Sequence, residues 1–177
     1  MERLITMALD GLLLHALCRQ FQEILPCKIN KIHQISNTEL LFHLRTQREK
    51  KNLLISCHSQ YNRINLTDRA YPTPEEPSHF VMLLRKHLEG GLILSVQQGG
   101  LDRWLVMEVS LRNEIGDKVF RKLYVELMGK YANVILVDEN NRILDALKRI
   151  PPFENTKRTI QPGAQFTLPE QPVKQDP

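Results

Sequence analysis

Two blocks of short runs, in which apolar and polar residues alternate, decide what this chain can fold into. In the first block, Leu40, Phe42 and Leu44 fall on one face of the run Glu39 to Arg45. A period of two is that of a strand with one buried face. The second block holds longer runs of the same kind, among them Trp104 to Arg112. Short strands in close succession predict a meander of antiparallel strands in each block.

The same alternation predicts where each strand lies. Turn residues separate the runs, such as Asn37-Thr38 and the acidic and amide segment at 138–141. In the first block we predict strands at Lys28 to Ile35, Glu39 to Arg45, Leu53 to Cys57 and Arg63 to Leu66. In the second block we predict strands at Leu92 to Gln97, Trp104 to Arg112, Lys118 to Met128, Asn133 to Val137 and Arg142 to Leu147.

One amphipathic helix precedes each block of strands. The first is predicted to begin after Asp10, which is well placed as its N-cap, and to end at Pro26. The second is capped by Ser78 and stopped by Gly90-Gly91. An α+β fold follows: a mostly antiparallel β-sandwich or barrel-like sheet flanked by two helices. We predict one domain over residues 1–165 and the start of a linker over 166–177, where the chain is polar and proline-bearing.

Composition restricts the class of protein. Of the 177 residues, 42% are hydrophobic and 25% are charged, as in ordinary globular domains. The three cysteines form no C-x-x-C pair, which argues against a disulfide framework and for a reducing compartment. The N-terminal region reads as neither a signal peptide nor a membrane span. We therefore expect a cytoplasmic protein without a membrane partner, whose natural start is Met1 or Met7.

The chain lacks the motifs of the common enzyme classes. It contains no phosphate-binding glycine loop, zinc-protease motif or serine-hydrolase elbow. Cys57 and His58 cannot easily ligate one metal from a strand, because successive side chains point to opposite faces. Nothing supports a catalytic pair formed by these two residues. We expect no cofactor, no metal and no catalytic residue.

The segment between two predicted strands departs from the alternation. Gly99-Gly100 is followed by Leu101 and then by the acid and base Asp102-Arg103. Because two glycines permit a tight backbone, the charged pair is predicted to lie at a sheet edge or turn. On spacing alone, a surface ion pair worth under about 1 kcal/mol is sufficient to account for it.

Basic residues gather in two further segments. The formal charge of +4 and the pI of about 9.0 favour polyanionic partners mildly. Solvated loops account for each cluster, but basic clusters with exposed aromatic side chains also suit phosphate and base contacts to a structured RNA. The basic residues are Arg45, Arg48, Lys50 and Lys51 in one hairpin-like loop, and Lys148, Arg149, Lys157 and Arg158 around Pro151-Pro152. The tyrosines expected at the surface are Tyr61, Tyr71, Tyr124 and Tyr131.

Ordered blocks of sequence run along almost the whole chain. They are Asp10-Gly11, Lys31 to Gln34, Leu53 to Ser56 with His58 and Tyr61, Met82 to Gly91, Gly100 to Arg103, Arg112 to Asp117, Lys122 to Gly129 and Asn133 to Leu136. In these blocks the chain resembles the NFACT-N domain of the RqcH, fibronectin-binding protein A and NEMF family. The resemblance is specific because the blocks occur together and in order.

The resemblance implies a role in ribosome-associated quality control. Proteins of this family bind a large ribosomal subunit with a stalled peptidyl-tRNA and recruit alanyl-tRNA, so that C-terminal alanine tails are added. The resemblance also implies that this domain contacts tRNA. Asp102 and Arg103 match the Asp-Arg pair that tailing needs, and Asp10 matches an N-terminal aspartate of the family. The implied fold is similar to the N-terminal domain of MutM-type DNA glycosylases.

Two other functions compete with this one. A MutM-like enzyme attacks through an N-terminal proline amine, and neither Met1-Glu2 nor Met7-Ala8 supplies that proline. A surface adhesin that binds fibronectin is implied by one of the family's names, and the lack of an export signal weighs against it. We expect a binding module rather than an enzyme.

Overall fold

The computed structural model of the chain describes residues 2–73, 76–99, 102–152 and 158–169, with side chains from residue 11 onward. The helices are α1 (Glu2–Ile24) and α2 (His79–Leu88), and a 3₁₀ turn covers Gly129–Tyr131. The strands are β1 (Cys27–Ser36), β2 (Glu39–Arg45), β3 (Lys50–Ser56), β4 (Arg63–Thr67), β5 (Leu92–Gln98), β6 (Trp104–Arg112), β7 (Lys118–Glu126), β8 (Asn133–Val137) and β9 (Ile143–Ala146). Within the part of the chain that the structure describes, neither helix is both long and apolar enough to cross a bilayer.

The strands form one antiparallel sheet in the order β4-β3-β2-β1-β5-β6-β7-β8-β9. Neighbours in this order are also neighbours along the chain, except where β1 meets β5. Each block of the sequence is therefore a meander of adjacent strands, and α2 lies on the connection between the two blocks. The predicted α+β class is confirmed.

The sheet bends at the junction of β1 and β5, so that its two halves face each other. β1 and β5 share two residue pairs, both at the start of the strands. Contacts between the far ends of the halves show the bend: Lys148 Nζ donates to Cys57 O at 2.9 Å, and Asn62 Nδ2 donates to Gly129 O at 3.3 Å. One hydrophobic core contains buried residues of β1, β2, β3, β5, β6, β7, β8 and both helices. The predicted antiparallel sheet with two helices, a sandwich or barrel-like arrangement, is confirmed.

The first helix begins earlier than the sequence pattern predicts. It starts at Glu2, so Asp10 lies inside α1 and is not its N-cap. An Asp-Gly step resembles a helix start, but a glycine inside a helix costs only about 1 kcal/mol. Packing of α1 against β5 offsets that cost, with Leu14, Leu17 and Phe21 buried in the core.

The second helix begins and ends as predicted. Ser78 is the N-cap of α2, and its Oγ accepts a hydrogen bond from Val81 N at 3.2 Å. Phe80, Leu84 and Leu88 are buried against the sheet. Gly90 follows the helix with φ +84°, a conformation that glycine adopts without strain.

Most strand predictions are also confirmed, with β2, β6 and β8 at their predicted bounds. The prediction that Tyr124 lies at the surface is wrong. Its side chain is 8% exposed and stacks on Phe166, with 4.0 Å between the ring centroids. It belongs to a smaller hydrophobic cluster formed mainly by β7, β8, β9 and the chain after β9. Since Phe166 is buried there, the packed chain continues past residue 165.

Candidate functional site

Hydrogen bonds of one side chain join two segments that belong to different blocks of the family resemblance. Gln98, the last residue of β5, donates from Nε2 to Gly11 O at 3.0 Å and to Asp102 O at 2.6 Å. The amide thereby connects the Asp10-Gly11 step of α1 with the turn at Asp102-Arg103. We call the turn, together with residues 57–62 and 127–131, the loop end of the sandwich.

Backbone hydrogen bonds fix the turn. Asp102 N donates to Gly99 O at 3.0 Å, and Leu127 N donates to Arg103 O at 2.8 Å. Asp102 and Arg103 are both half-buried. Because the bonds that shape the turn involve main-chain atoms, they do not depend on which side chains stand at 102 and 103. The prediction of a turn at this pair is confirmed.

Gly99 is needed because Trp104 lies against it. A Cβ atom at position 99 would overlap the indole ring of Trp104. That ring is 6.1 Å from the ring of Tyr124 and packs on the smaller hydrophobic cluster. The cluster therefore supports the indole on one side, so a new methyl group at position 99 would displace the ring from this packing. Gly100 and Leu101, which complete the predicted motif, lie outside the described residues.

The first predicted basic cluster lies at the opposite end of the strands, in the β2–β3 hairpin. Arg45, Arg48 and Lys50 are exposed. Lys51 is half-buried, and its Nζ forms ion pairs with the carboxylates of Glu49 and a second acid at 3.7 and 3.5 Å. Three of these four cations are thus presented to solvent.

Two arginines of the second predicted cluster bind carboxylates of the protein. Arg158 forms a bidentate pair with Glu126, with N–O distances of 2.7 and 2.6 Å, and the two side chains are 14% and 3% exposed. Arg149 pairs in the same way with buried Asp145 at 2.9 and 3.0 Å. The hydrogen bonds and charge of Asp145 raise the pKa of the Arg149 guanidinium.

The lysine of this cluster that the structure describes has a backbone carbonyl, rather than a carboxylate, as its partner. Lys148 donates to Cys57 O and is half-buried between the two halves of the sheet. Lys157 lies outside the described residues. Lys148, Arg149 and Arg158 therefore have internal partners that account for their positions without a ligand.

Burial keeps two of the thiols protonated. Cys57 is fully buried, and burial raises its pKa to about 12. Burial also raises the pKa of Cys27, to about 11. The neighbouring His58 accepts backbone N–H groups of Gln60 and Tyr61 at its Nδ1 atom, at 3.1 and 3.3 Å. Among the described residues, no group of three or more His, Cys, Asp or Glu side chains is placed to hold a metal ion.

The residues that assemble the loop end were not identified from the sequence. The sequence marks Gln98 only as a polar residue at the end of an alternating strand. Because such residues are common at strand ends, this position alone does not predict its role. Glu126 and Leu127 lie in a block that matches the family, but their contacts with Arg158 and Arg103 join residues distant in sequence. No local pattern predicts such contacts.

Comparison with known proteins gives consistent matches. The sequence profile described as NFACT N-terminal and middle domains matches residues 10–177. The chain is 44% identical to the Rqc2 homolog RqcH of Bacillus subtilis, over 92% of this chain and 29% of that protein. It is 35% identical to ribosome quality control complex subunit 2 of Saccharomyces cerevisiae, over 81% of this chain and 13% of that protein.

A solved structure has the same fold. The N-terminal domain of fibronectin-binding protein PavA from Streptococcus pneumoniae superposes with a TM-score of 0.87. The identity is 37%, over 91% of this chain and 62% of that chain. The chain spans less than a third of the length of the two curated relatives.

Substitution of Gly99 by alanine tests the packing at the turn. We expect Gly99→Ala to lower the free energy of unfolding by about 1–3 kcal/mol, because the new methyl group collides with the indole ring. Urea unfolding measures the change. The loss should shrink when Trp104 is replaced by leucine in the same chain. An equal loss in both backgrounds would contradict the proposed contact.

Substitution of Arg158 tests whether this arginine is structural. Arg158→Ala leaves the buried carboxylate of Glu126 unpaired, so we expect a loss of about 3–5 kcal/mol in the free energy of unfolding. Arg48→Ala, at an exposed site, is the matched control and should leave the stability unchanged. Chemical denaturation of both variants is the measurement. Equal stability of the two variants would show that the ion pair contributes little.

Proposed function

Because this chain belongs to the family of NFACT N-terminal and middle domains, we propose that it is the tRNA- and ribosome-binding module of a ribosome-associated quality control factor. The curated relatives carry names of ribosome quality control proteins. In the proposed role, the longer protein binds a large ribosomal subunit that holds a stalled peptidyl-tRNA. It recruits alanyl-tRNA there, and alanine tails are added to the stalled chain.

One observation carries the proposal. The Gln98 amide holds the Asp10-Gly11 step beside the turn at Asp102-Arg103, although 87 residues separate Gly11 from Gln98. Two motifs that are far apart in the sequence thus meet at the loop end, as residues of one binding site do. A common site would account for the presence of both in the set of matching blocks.

The chemistry of the two charged side chains suits RNA. The planar fork of Arg103 matches a phosphate or the edge of a base through two parallel hydrogen bonds. The carboxylate of Asp102 accepts from base amino groups or from the ribose 2′-hydroxyl, which distinguishes RNA from DNA. The pair therefore offers one donor group and one acceptor group to the same nucleotide region.

We propose that the chain acts by binding rather than by catalysis, and that it acts in the cytoplasm with the ribosome. The buried thiols are protonated near neutral pH, so they are poor nucleophiles. No described residue combines an activated nucleophile with a base in the manner of a hydrolase. A role on ribosomes places the protein where the ribosomes are.

Fibronectin binding is the second candidate, because the pneumococcal relative of known structure is named for it. We rank it below tRNA binding, since the bacterial and yeast curated relatives are both named for ribosome quality control. Surface plasmon resonance with immobilised fibronectin or tRNA compares the two. Saturable binding of fibronectin without any binding of tRNA would reverse the order.

Alanine substitution of both residues of the turn tests the proposal. We expect Asp102→Ala with Arg103→Ala to abolish alanine tailing by the longer protein while binding of the large ribosomal subunit is retained. The free energy of unfolding should change by less than about 1 kcal/mol, because the backbone bonds of the turn remain. A tailing assay and thermal unfolding are measured on the same variant.

Two controls make the result specific. Asp68→Ala with Arg69→Ala removes an exposed Asp-Arg pair that follows β4 and lies outside the matching blocks, and this variant should tail normally. Arg103→Lys keeps the positive charge but not the planar fork, so a variant with this substitution alone should tail little more than the double alanine variant. Normal tailing by the double alanine variant at 102 and 103 would refute the assignment. Early unfolding of that variant would show that the pair is structural.

A further inference from the structure

Three cations stand in register across three adjacent strands. Lys28 of β1 lies opposite Arg45 of β2, and Arg45 lies opposite Lys50 of β3. All three are exposed. Their neighbours in β1 and β2 point into the core, so the three side chains project from the outer face of this half of the sandwich. We call these residues the basic row.

Such a row is unfavourable in the isolated protein. Like charges directly opposite each other on adjacent strands destabilise a sheet. Among the described residues, none of the three forms an ion pair within the protein. The strands are about 4.8 Å apart, so three positive charges fall within about 10 Å. A row like this retains its repulsion until an anionic partner neutralises it.

A cavity of about 590 Å³ adjoins the row and is also lined by polar and basic groups. Its wall includes Lys31, His43 and Asn52, which are opposite one another in a neighbouring row of the sheet. Glu89 is the acid in the lining, and its carboxylate is already engaged. It accepts from Ile32 N at 3.1 Å and pairs with an arginine of α2 at 3.8 Å.

A nearby histidine lies on the same face as these cations. His33 contacts His43 edge to face, with a centroid distance of 5.1 Å. Burial lowers the pKa of His33, and His43, Arg85 and Lys31 lower it further, against the opposing effect of Glu89. The charges of Arg85 and Lys31 therefore outweigh that of Glu89 around this ring.

We infer that the basic row and the adjoining cavity form a second RNA contact, which takes consecutive backbone phosphates. This inference rests on the proposed function, since it assumes that the partner is RNA. Ammonium and guanidinium groups neutralise phosphates without reading sequence, so the contact supplies affinity rather than selectivity. It takes the negatively charged backbone of a strand or duplex, in contrast to the base and ribose chemistry available at Asp102 and Arg103.

The two contacts lie at opposite ends of one strand. Lys28 is opposite Leu92, where β5 begins, whereas Gln98 ends β5 and holds the turn. Six residue steps of a strand span about 20 Å. An RNA that reaches both contacts is therefore held along the length of the sandwich, with its phosphates on the basic row and its recognised nucleotides at the loop end.

Salt dependence of tRNA binding tests the inference directly. Fluorescence anisotropy measures binding of an unmodified tRNA transcript to this chain between about 50 and 200 mM salt, and we expect the affinity to fall steeply as salt rises. The variant Lys28→Ala with Arg45→Ala and Lys50→Ala should lower the slope of log affinity against log salt by about 2 to 3. Its melting temperature should be equal or higher, because the repulsion is removed.

A matched variant removes the same charge from elsewhere. Arg19→Ala with Lys118→Ala and Lys122→Ala also deletes three exposed cations, and it should change the slope by less than about 1. An unchanged slope in the basic-row variant, or equal changes in both variants, would overturn the inference. Absence of tRNA binding by the unaltered chain would overturn it as well.

Two further arms distinguish RNA from a membrane as the partner and separate the second contact from the proposed function. If the basic-row variant loses binding to phosphatidylserine vesicles and keeps the tRNA slope, the surface serves a membrane and the inference fails. If the double alanine variant at 102 and 103 tails normally while the basic-row variant loses slope, the assignment of a tRNA contact to Asp102 and Arg103 fails and the second contact stands. If the unaltered longer protein adds no alanine tails while the basic-row variant loses slope, the proposed function fails and the second contact stands. If instead the double alanine variant loses tailing and the basic-row variant keeps its slope, the proposed function stands and the second contact fails.

Discussion

The carboxamide of Gln98 connects the first helix, the last residue of β5 and the turn at Asp102, because one Nε2 atom donates to two carbonyl groups. Each of those carbonyls belongs to a different motif. Loss of the amide would remove both of these hydrogen bonds at once. The Asp10-Gly11 step is thus held beside Asp102 and Arg103 in part by a residue whose amide nitrogen contacts main-chain atoms.

The cations of the chain divide by their partners. Arg149 and Arg158 are bound to carboxylates that are almost fully buried, so they stabilise the second half of the sandwich. Charges in the β2–β3 hairpin and on β1 have no buried carboxylate partner among the described residues, and most of them remain in solvent. A net charge of +4 therefore understates the positive potential of one face, because acids elsewhere in the chain offset it in the sum.

Local sequence patterns predicted most strands and the second helix, whereas contacts between residues distant in sequence assemble the candidate site. The alternation in Glu39–Arg45 and the capping serine at 78 were sufficient for β2 and α2, because these features act within a few residues. The prediction that α1 begins after Asp10 was wrong, since tertiary packing overrides the weak local preference of an Asp-Gly step. The prediction that Tyr124 is exposed was wrong, because this part of β7 is covered on both faces. Phe166 covers one of them. The pairing of Arg158 with Glu126 and the role of Gln98 join distant residues, which a single sequence does not reveal.

Contact of tRNA with the loop end, around the Asp102-Arg103 turn, is the interaction on which the proposed function depends. Chemical-shift mapping of the ¹⁵N-labelled chain during titration with tRNA tests it most directly, because each backbone amide reports its own surroundings. We expect the largest changes at the amides of Gly99, Asp102, Arg103 and Leu127. Changes confined to the β6–β7 hairpin, with none at the loop end, would contradict the proposed contact.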